Sequence, residues 1–237
     1  MPSKGVPREL GHVRRSLEGL VDRDTATAAM LEALEQVPEE RPSGIEPIKG
    51  FVRGPLSGAL SRRMSADSAL RVCKGIEDAV HDWLAEEAAS QLQGLPRRSQ
   101  FPTLEVKPEQ GPTRLVVVAG SERLTWRLRV AVGGDRLAAI SASDLNALLD
   151  QLETLNPAIV LIDAHDPPLS APESVAAMAR GLSRKVLIVL WGQSEPYAIP
   201  LMDAFERWRL RYTPLDRGNG VDPLLDLIRS RSSGSLR

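Results

Sequence analysis

The chain has 237 residues, an ordinary apolar share of 42% and a formal net charge of -1. That length suits one large domain or two small ones, and the near-neutral charge argues against a nucleic-acid binder or a membrane-surface protein. Cys73 is the only cysteine, so neither an internal disulfide nor a cysteine-based metal cage can form.

The longest apolar runs, such as 186–191, fall far short of the roughly 18 residues that a membrane span needs. The opening MPSKGVPREL has no apolar core and does not read as a signal peptide. A cytoplasmic protein without membrane association is therefore expected.

Residues 1–93 read as a small all-α module. Leu10, Val13, Leu17, Leu20 and Val21 recur at helical spacing and place one apolar stripe on one face. Asp24 can cap a second helix through Met30, Leu31, Leu34 and Val37, with Pro38 stopping it. Residues 38–55 carry Pro38, Pro42, Pro47 and Pro55 and read as an irregular connection. Pro55 suits the first turn of a short helix with Leu56, Leu60 and Met64. Ser65 then caps a long helix whose stripe is Ala69, Val72, Cys73, Ile76, Val80, Trp83 and Leu84. Cys73 on that stripe reads as a small core residue. His12 and His81 read as isolated surface or boundary residues.

Residues 94–112 hold four prolines and no helical period, so they read as an extended linker. After them strand and helix alternate over 113–237. Strands are predicted at 115–118, 137–141, 158–163, 185–191 and 210–213. Helices are predicted at 121–132, from a cap at Ser143 through Leu145, Leu148, Leu149, Leu152 and Leu155, and at 172–182, 197–208 and 222–230. Five such β-α units imply an α/β fold with a doubly wound five-stranded parallel sheet.

The third strand, Ile159-Val160-Leu161-Ile162, ends on Asp163. The carboxyl ends of parallel strands are where an open α/β sheet collects its functional groups. Pro167 follows four residues later, and Thr213-Pro214 follows the fifth strand. With this element order, residues 113–231 resemble the receiver domain of bacterial response regulators, the CheY-like (flavodoxin-like) fold. The resemblance implies two-component, phosphorelay signalling, with Asp163 at the phospho-acceptor position. It also implies an acidic Mg²⁺-binding pair after the first strand, a hydroxyl residue after the fourth, and a lysine before the last proline.

The sequence departs from that pattern. The acidic pair falls on Ala119 and Gly120, which offer no oxygen side chain to a hard cation. The hydroxyl position falls on Leu190 or Trp191, the lysine position on Thr213 and the aromatic switch position on Leu210. Without a metal and a cation, the charge that develops in phosphoryl transfer has no partner. A degenerate receiver with a vestigial Asp163, acting as a protein-interaction module independent of phosphorylation, is the expected function. The alternative is a working phosphorelay receiver that uses Glu122 and Asp166 as a divergent acidic pocket.

Other signals are weaker. Asp163, His165 and Asp166 could hold a metal, but residues so close in sequence rarely converge on one ion, and a solvated polar loop is the simpler reading. Val118-Ala119-Gly120-Ser121 lacks both the Walker lysine and the GxGxxG spacing, so no nucleotide or other cofactor is expected. Ser121 and Ser194 lack a nucleophile-elbow context, so no enzymatic activity is expected. A flavodoxin-like enzyme or small-ligand binder on the same fold stays open.

Arg207, Arg209 and Arg211 interleave with Trp208 and Tyr212. Arginine and aromatic residues suit an interaction hot spot, and the receiver resemblance places signalling on the fourth helix, fifth strand and fifth helix. A protein partner in a signalling pathway, or a second copy forming a homodimer there, is expected. Strand alternation sends Arg209 and Arg211 to one face and Leu210 and Tyr212 to the other. Nucleic acid ranks behind a protein: residues 1–111 carry 15 basic and 17 acidic groups, a net charge of -2.

Overall fold

A computed structural model describes residues 7–37, 42, 44–93 and 111–233. The chain divides into two compact units, Met1–Gln110 and Gly111–Arg237. Nearly all of the predicted linker lies outside the described residues.

Every described element of the first unit is helical: α1 (Arg8–Leu20), α2 (Arg23–Glu35), α3 (Ile45–Phe51), α4 (Ser57–Ser61) and α5 (Ala66–Gln93). The apolar stripe of α1 holds at Leu10, Val13 and Leu17, all fully buried, while Leu20 lies half-exposed at the helix end. Asp22, not Asp24, caps α2, its carboxylate accepting from the Thr25 N–H at 2.9 Å. Helix α2 is buried almost all round, from Ala26 to Leu34, as the central helix of a bundle must be.

The predicted irregular stretch is largely helical. Between α3 and α4 the backbone runs on as one π-helical turn, Val52–Leu56, with Pro55 inside it. Proline has no N–H to donate and its ring would strike the carbonyl four residues back. Widening the turn relieves both problems without ending the helix, so Pro55 lies inside a helix and does not open one. Ser65 precedes α5 as expected, its hydroxyl accepting from the Ser68 N–H at 3.3 Å. His12 is not isolated: its ring stacks on Trp83 of α5 at 5.0 Å and 18°.

The second unit alternates β1 (Thr113–Val118), α6 (Arg123–Val132), β2 (Leu137–Ala142), α7 (Leu145–Leu155), β3 (Ile159–Asp163), α8 (Pro172–Arg180), β4 (Leu187–Trp191), α9 (Ala198–Arg207), β5 (Thr213–Leu215) and α10 (Asp222–Ser233). The strands form one five-stranded sheet in the order β2-β1-β3-β4-β5, parallel throughout. The α/β class and the all-parallel sheet are as the sequence predicts, and the order is compatible with a flavodoxin-like fold.

Both sheet faces are covered, which is why the central strands are continuously apolar. Val116, Val118, Val160, Ile162, Ile188 and Leu190 point into one core with Val175, Leu201 and Phe205 of α8 and α9. Alternate residues such as Val117, Leu161, Val189 and Trp191 are equally buried on the opposite face, where α6 packs on β2 and α10 on β1.

Three local expectations change. Asp144, not Ser143, caps α7, accepting from the Ala147 N–H at 2.9 Å, and Leu149 is 46% exposed. The fifth strand begins at Thr213 instead of Leu210 and pairs only with β4, Val189 opposite Thr213 and Trp191 opposite Leu215. It is an edge strand, where a proline such as Pro214 is tolerated.

Candidate functional site

The carboxyl ends of β1, β3 and β4 bring the candidate residues together. Register pairs Asp163 with Trp191. It pairs Val118 with Ile162, so Ala119 comes level with Asp163. The residue of β5 at the same level is Leu215. Trp191 is 2% exposed and Ala119 1%, so apolar groups flank the carboxylate.

Asp163 itself is 6% exposed. Its Oδ1 accepts from the backbone N–H of His165 at 3.0 Å and, more loosely, from that of Asp166 at 3.4 Å. This is an Asx turn, in which an aspartate folds the chain that follows it. Burial pushes the Asp163 carboxyl above its ordinary value; the two backbone N–H groups and the charge of Arg217 oppose that rise, and the charge of Asp166 adds to it.

The turned loop then lies across the end of β1. The Gly120 N–H donates to the Asp166 carbonyl at 2.7 Å, and the Ser121 hydroxyl donates to the Asp166 carboxylate. A Cβ on Gly120 would stand 2.7 Å from the Pro167 carbonyl oxygen and 2.8 Å from Asp166 Oδ1. Only glycine allows that approach. Further along, the Leu169 N–H donates to the Ser143 carbonyl at 2.9 Å and the Leu145 N–H to Ser170 Oγ at 3.0 Å. Tyr197 donates its hydroxyl to the Ser170 carbonyl at 2.9 Å, and burial raises its pKa to about 12, so it stays a donor.

His165 turns outward, and its Nδ1 lies 3.0 Å from Glu195 Oε1. Gly192, at φ +88, makes room for that carboxylate: a Cβ there would meet Glu195 Cγ at 3.1 Å. One loop is thus tied to the loops before α6, α7 and α9.

This arrangement does not fit a magnesium ion. Ala119 and Gly120 supply no oxygen side chain, Glu122 is exposed, and Asp166 is engaged by Ser121. No group of three His, Cys, Asp or Glu side chains among the described residues could hold a metal. Sequence reasoning missed Arg217, whose charge acts on Asp163. It follows Pro214 by three residues, where a cation sought before that proline goes unseen.

No family model, curated protein or solved structure matches this chain. Its chemistry is read from its own side chains.

The arginine and aromatic cluster is displaced from the predicted strand. Helix α9 ends at Arg207. The Arg209 N–H donates to the Glu206 carbonyl at 3.0 Å and the Leu210 N–H to the Phe205 carbonyl at 2.9 Å, with Arg209 left-handed at φ 53. That is a Schellman motif with arginine where glycine is usual. Strand alternation therefore does not govern Arg209 and Arg211. Both are exposed, as is Arg207, whereas Trp208 and Tyr212 are half-buried. The Tyr212 ring lies 5.0 Å from Phe205, tilted by 52°, and burial pushes its hydroxyl pKa up. The aromatics belong partly to the core, and the arginines form the free surface.

In the first unit, a groove of about 380 Å³ is lined by Arg53, Ser57, Leu70, Cys73, Lys74 and Glu77. Arg53 and Glu77 pair across it through two hydrogen bonds, of 2.8 and 2.7 Å. Cys73 is buried beneath, and that burial pushes its thiol pKa up, so it carries little thiolate reactivity. No described helix is long and apolar enough to cross a membrane.

Proposed function

We propose that the second unit is a receiver-like module that works by binding a protein partner in a signalling pathway, without phosphorylation and without catalysing a reaction. The observation that carries this reading is the closed end of β3. The Asp163 carboxylate is buried and already accepts two loop N–H groups. Beside it, Asp166 and Pro167 pack against Gly120, one of the two positions where the resemblance would put a metal-binding acid. A phosphoryl group on Asp163 would add up to two negative charges beside Asp166.

With the strand ends closed, the working surface is the set of exposed arginines at the end of α9, Arg207, Arg209 and Arg211. They suit an acidic patch on a partner or on a second copy. Holding an arginine in the left-handed region costs backbone energy, which supports a use for its charge. A second reading, a working phospho-acceptor, draws on Arg217, whose charge acts on Asp163 as a lysine's would in a receiver.

One experiment separates the two. The full chain is incubated with acetyl phosphate and Mg²⁺ and its intact mass is measured. The mass should not change. An adduct of one phosphoryl group that disappears in Asp163→Asn would replace the first reading with the second.

A further inference from the structure

The loop between β3 and α8 carries the most exposed large hydrophobic side chain among the described residues, Leu169, at 82%. This leucine is not on a free tip. Its own N–H is bonded to Ser143, the next residue is bonded to Leu145 and Tyr197, and Pro167, Pro168 and Pro172 flank it. Fixing such a side chain in water brings no stability to the fold. A rigid apolar knob does lower the entropy lost on binding.

The other two exposed large hydrophobics among the described residues of this unit lie close by in the fold. Leu149, 46% exposed, is one turn along α7 from Leu145, and Ile199, 56% exposed, is two residues from Tyr197. Both Leu145 and Tyr197 are bonded to Ser170, beside Leu169.

The segments that carry these three side chains hold charge of one sign, and the cations on the same edge, Arg123 and Arg217, lie on the segments after β1 and β5. From Leu137 to Ala179, and again from Val186 to Glu206, the chain has no lysine or arginine. Helices in a parallel α/β unit run opposite to the strands, so the cations at the ends of α8 and α9, Arg180 and Arg207, sit at the far edge of the sheet. The edge that carries Leu169 presents Asp144, Asp150, Asp166, Glu173 and Glu195, with His165 already paired to Glu195.

We infer that this edge, centred on Leu169, is a docking surface for a basic segment of a partner protein that brings apolar anchors, such as an amphipathic helix rich in lysine and leucine. The carboxylates steer such a segment and select its charge; Leu169 and its two neighbours supply the desolvated contact. This surface is distinct from the arginine cluster at the end of α9, and its partner has the opposite charge.

The test uses the full chain and a fluorescein-labelled Lys/Leu helical peptide of roughly four turns, followed by anisotropy, with a Glu/Leu peptide of the same length beside it. The Lys/Leu peptide should bind saturably, and weaken by about tenfold or more in Leu169→Ser, the loss of an anchor residue. It should weaken similarly in Glu173→Lys and with rising salt. Both substitutions are at exposed positions, and circular dichroism checks the fold. No saturable binding, equal binding by the Glu/Leu peptide, or undiminished binding in Leu169→Ser would each overturn the proposal. So would self-association of the chain that Leu169→Ser abolishes, since the knob would then belong to a second copy.

Discussion

Gly120→Ala probes the closed end of the sheet most directly. The added methyl group would stand 2.7 Å from the Pro167 carbonyl oxygen and 2.8 Å from Asp166 Oδ1, where an ordinary carbon–oxygen contact needs about 3.4 Å. The aspartate side chain could turn away, but the Pro167 oxygen is backbone. The loop itself must therefore lift by about 0.7 Å, and the 2.7 Å bond from Gly120 to the Asp166 carbonyl goes with it. Overpacking of this kind costs about 1–3 kcal/mol, and the lost hydrogen bond about 1 kcal/mol. Alanine returns about 0.4–1 kcal/mol through the unfolded chain, which leaves a net loss of about 1–3.5 kcal/mol. Urea unfolding of the full chain reads this through Trp126, Trp191 and Trp208, all in the second unit. With a slope of about 2 kcal/mol per molar, the midpoint should fall by about 0.5–1.8 M. Gly134→Ala, with nothing within 4 Å of the new atom, is the control and should not lower it. A Gly120→Ala midpoint equal to that of the parent would refute the packing of the loop on β1.

Asp163→Asn keeps an acceptor for the two loop N–H groups and removes the buried charge. The folded-state pKa of Asp163 is raised, so the native chain holds more protons than the unfolded one above the ordinary carboxylate range. Its contribution to stability is complete below that range and is lost as pH rises through the raised value. The asparagine variant should therefore gain on the parent across that window and remain more stable at neutral pH; a variant that is weaker there would remove burial as the cause. Arg209→Gly should stabilise by about 1 kcal/mol, since glycine accepts the left-handed turn freely, and an unchanged or lower urea midpoint would contradict the Schellman geometry. Tyr197→Phe should cost about 0.5–1.5 kcal/mol for the lost bond to Ser170 and raise hydrogen exchange at Leu145; unaltered exchange there would separate Tyr197 from the anchoring of the loop.

The strands with continuous apolar runs, β1, β3 and β4, were legible because burial on both faces leaves no other reading. The fifth strand was not. Leu210, Tyr212 and Thr213 have the composition of a strand, yet Phe205 and Glu206 draw 209 and 210 back into a helix cap, and pairing with β4 begins only at Thr213. The cap errors at Asp22 and Asp144 share one cause: two residues able to cap stand within two positions of each other, and only the geometry chooses. The π-helical turn at Pro55 depends on neighbours that let the helix continue. Asp163 at a strand end was legible. The closure above it was not, because Ser121 and Asp166 meet across 45 residues, and no local pattern records that meeting.

The loop from Ala164 to Ala171 also has a place in time. Its bonds reach segments that precede and follow it in the chain, and each must already be positioned by the strand before it. The loop can therefore close only after β1, β2, β3 and β4 are registered, late in the assembly of a parallel sheet that is slow to form by its topology. Interactions absent from the transition state do not speed folding; they slow unfolding. The hydrogen bonds at Gly120, Ser143, Ser170 and Glu195 thus govern mainly how long the folded sheet lasts once formed, with little bearing on how quickly it forms.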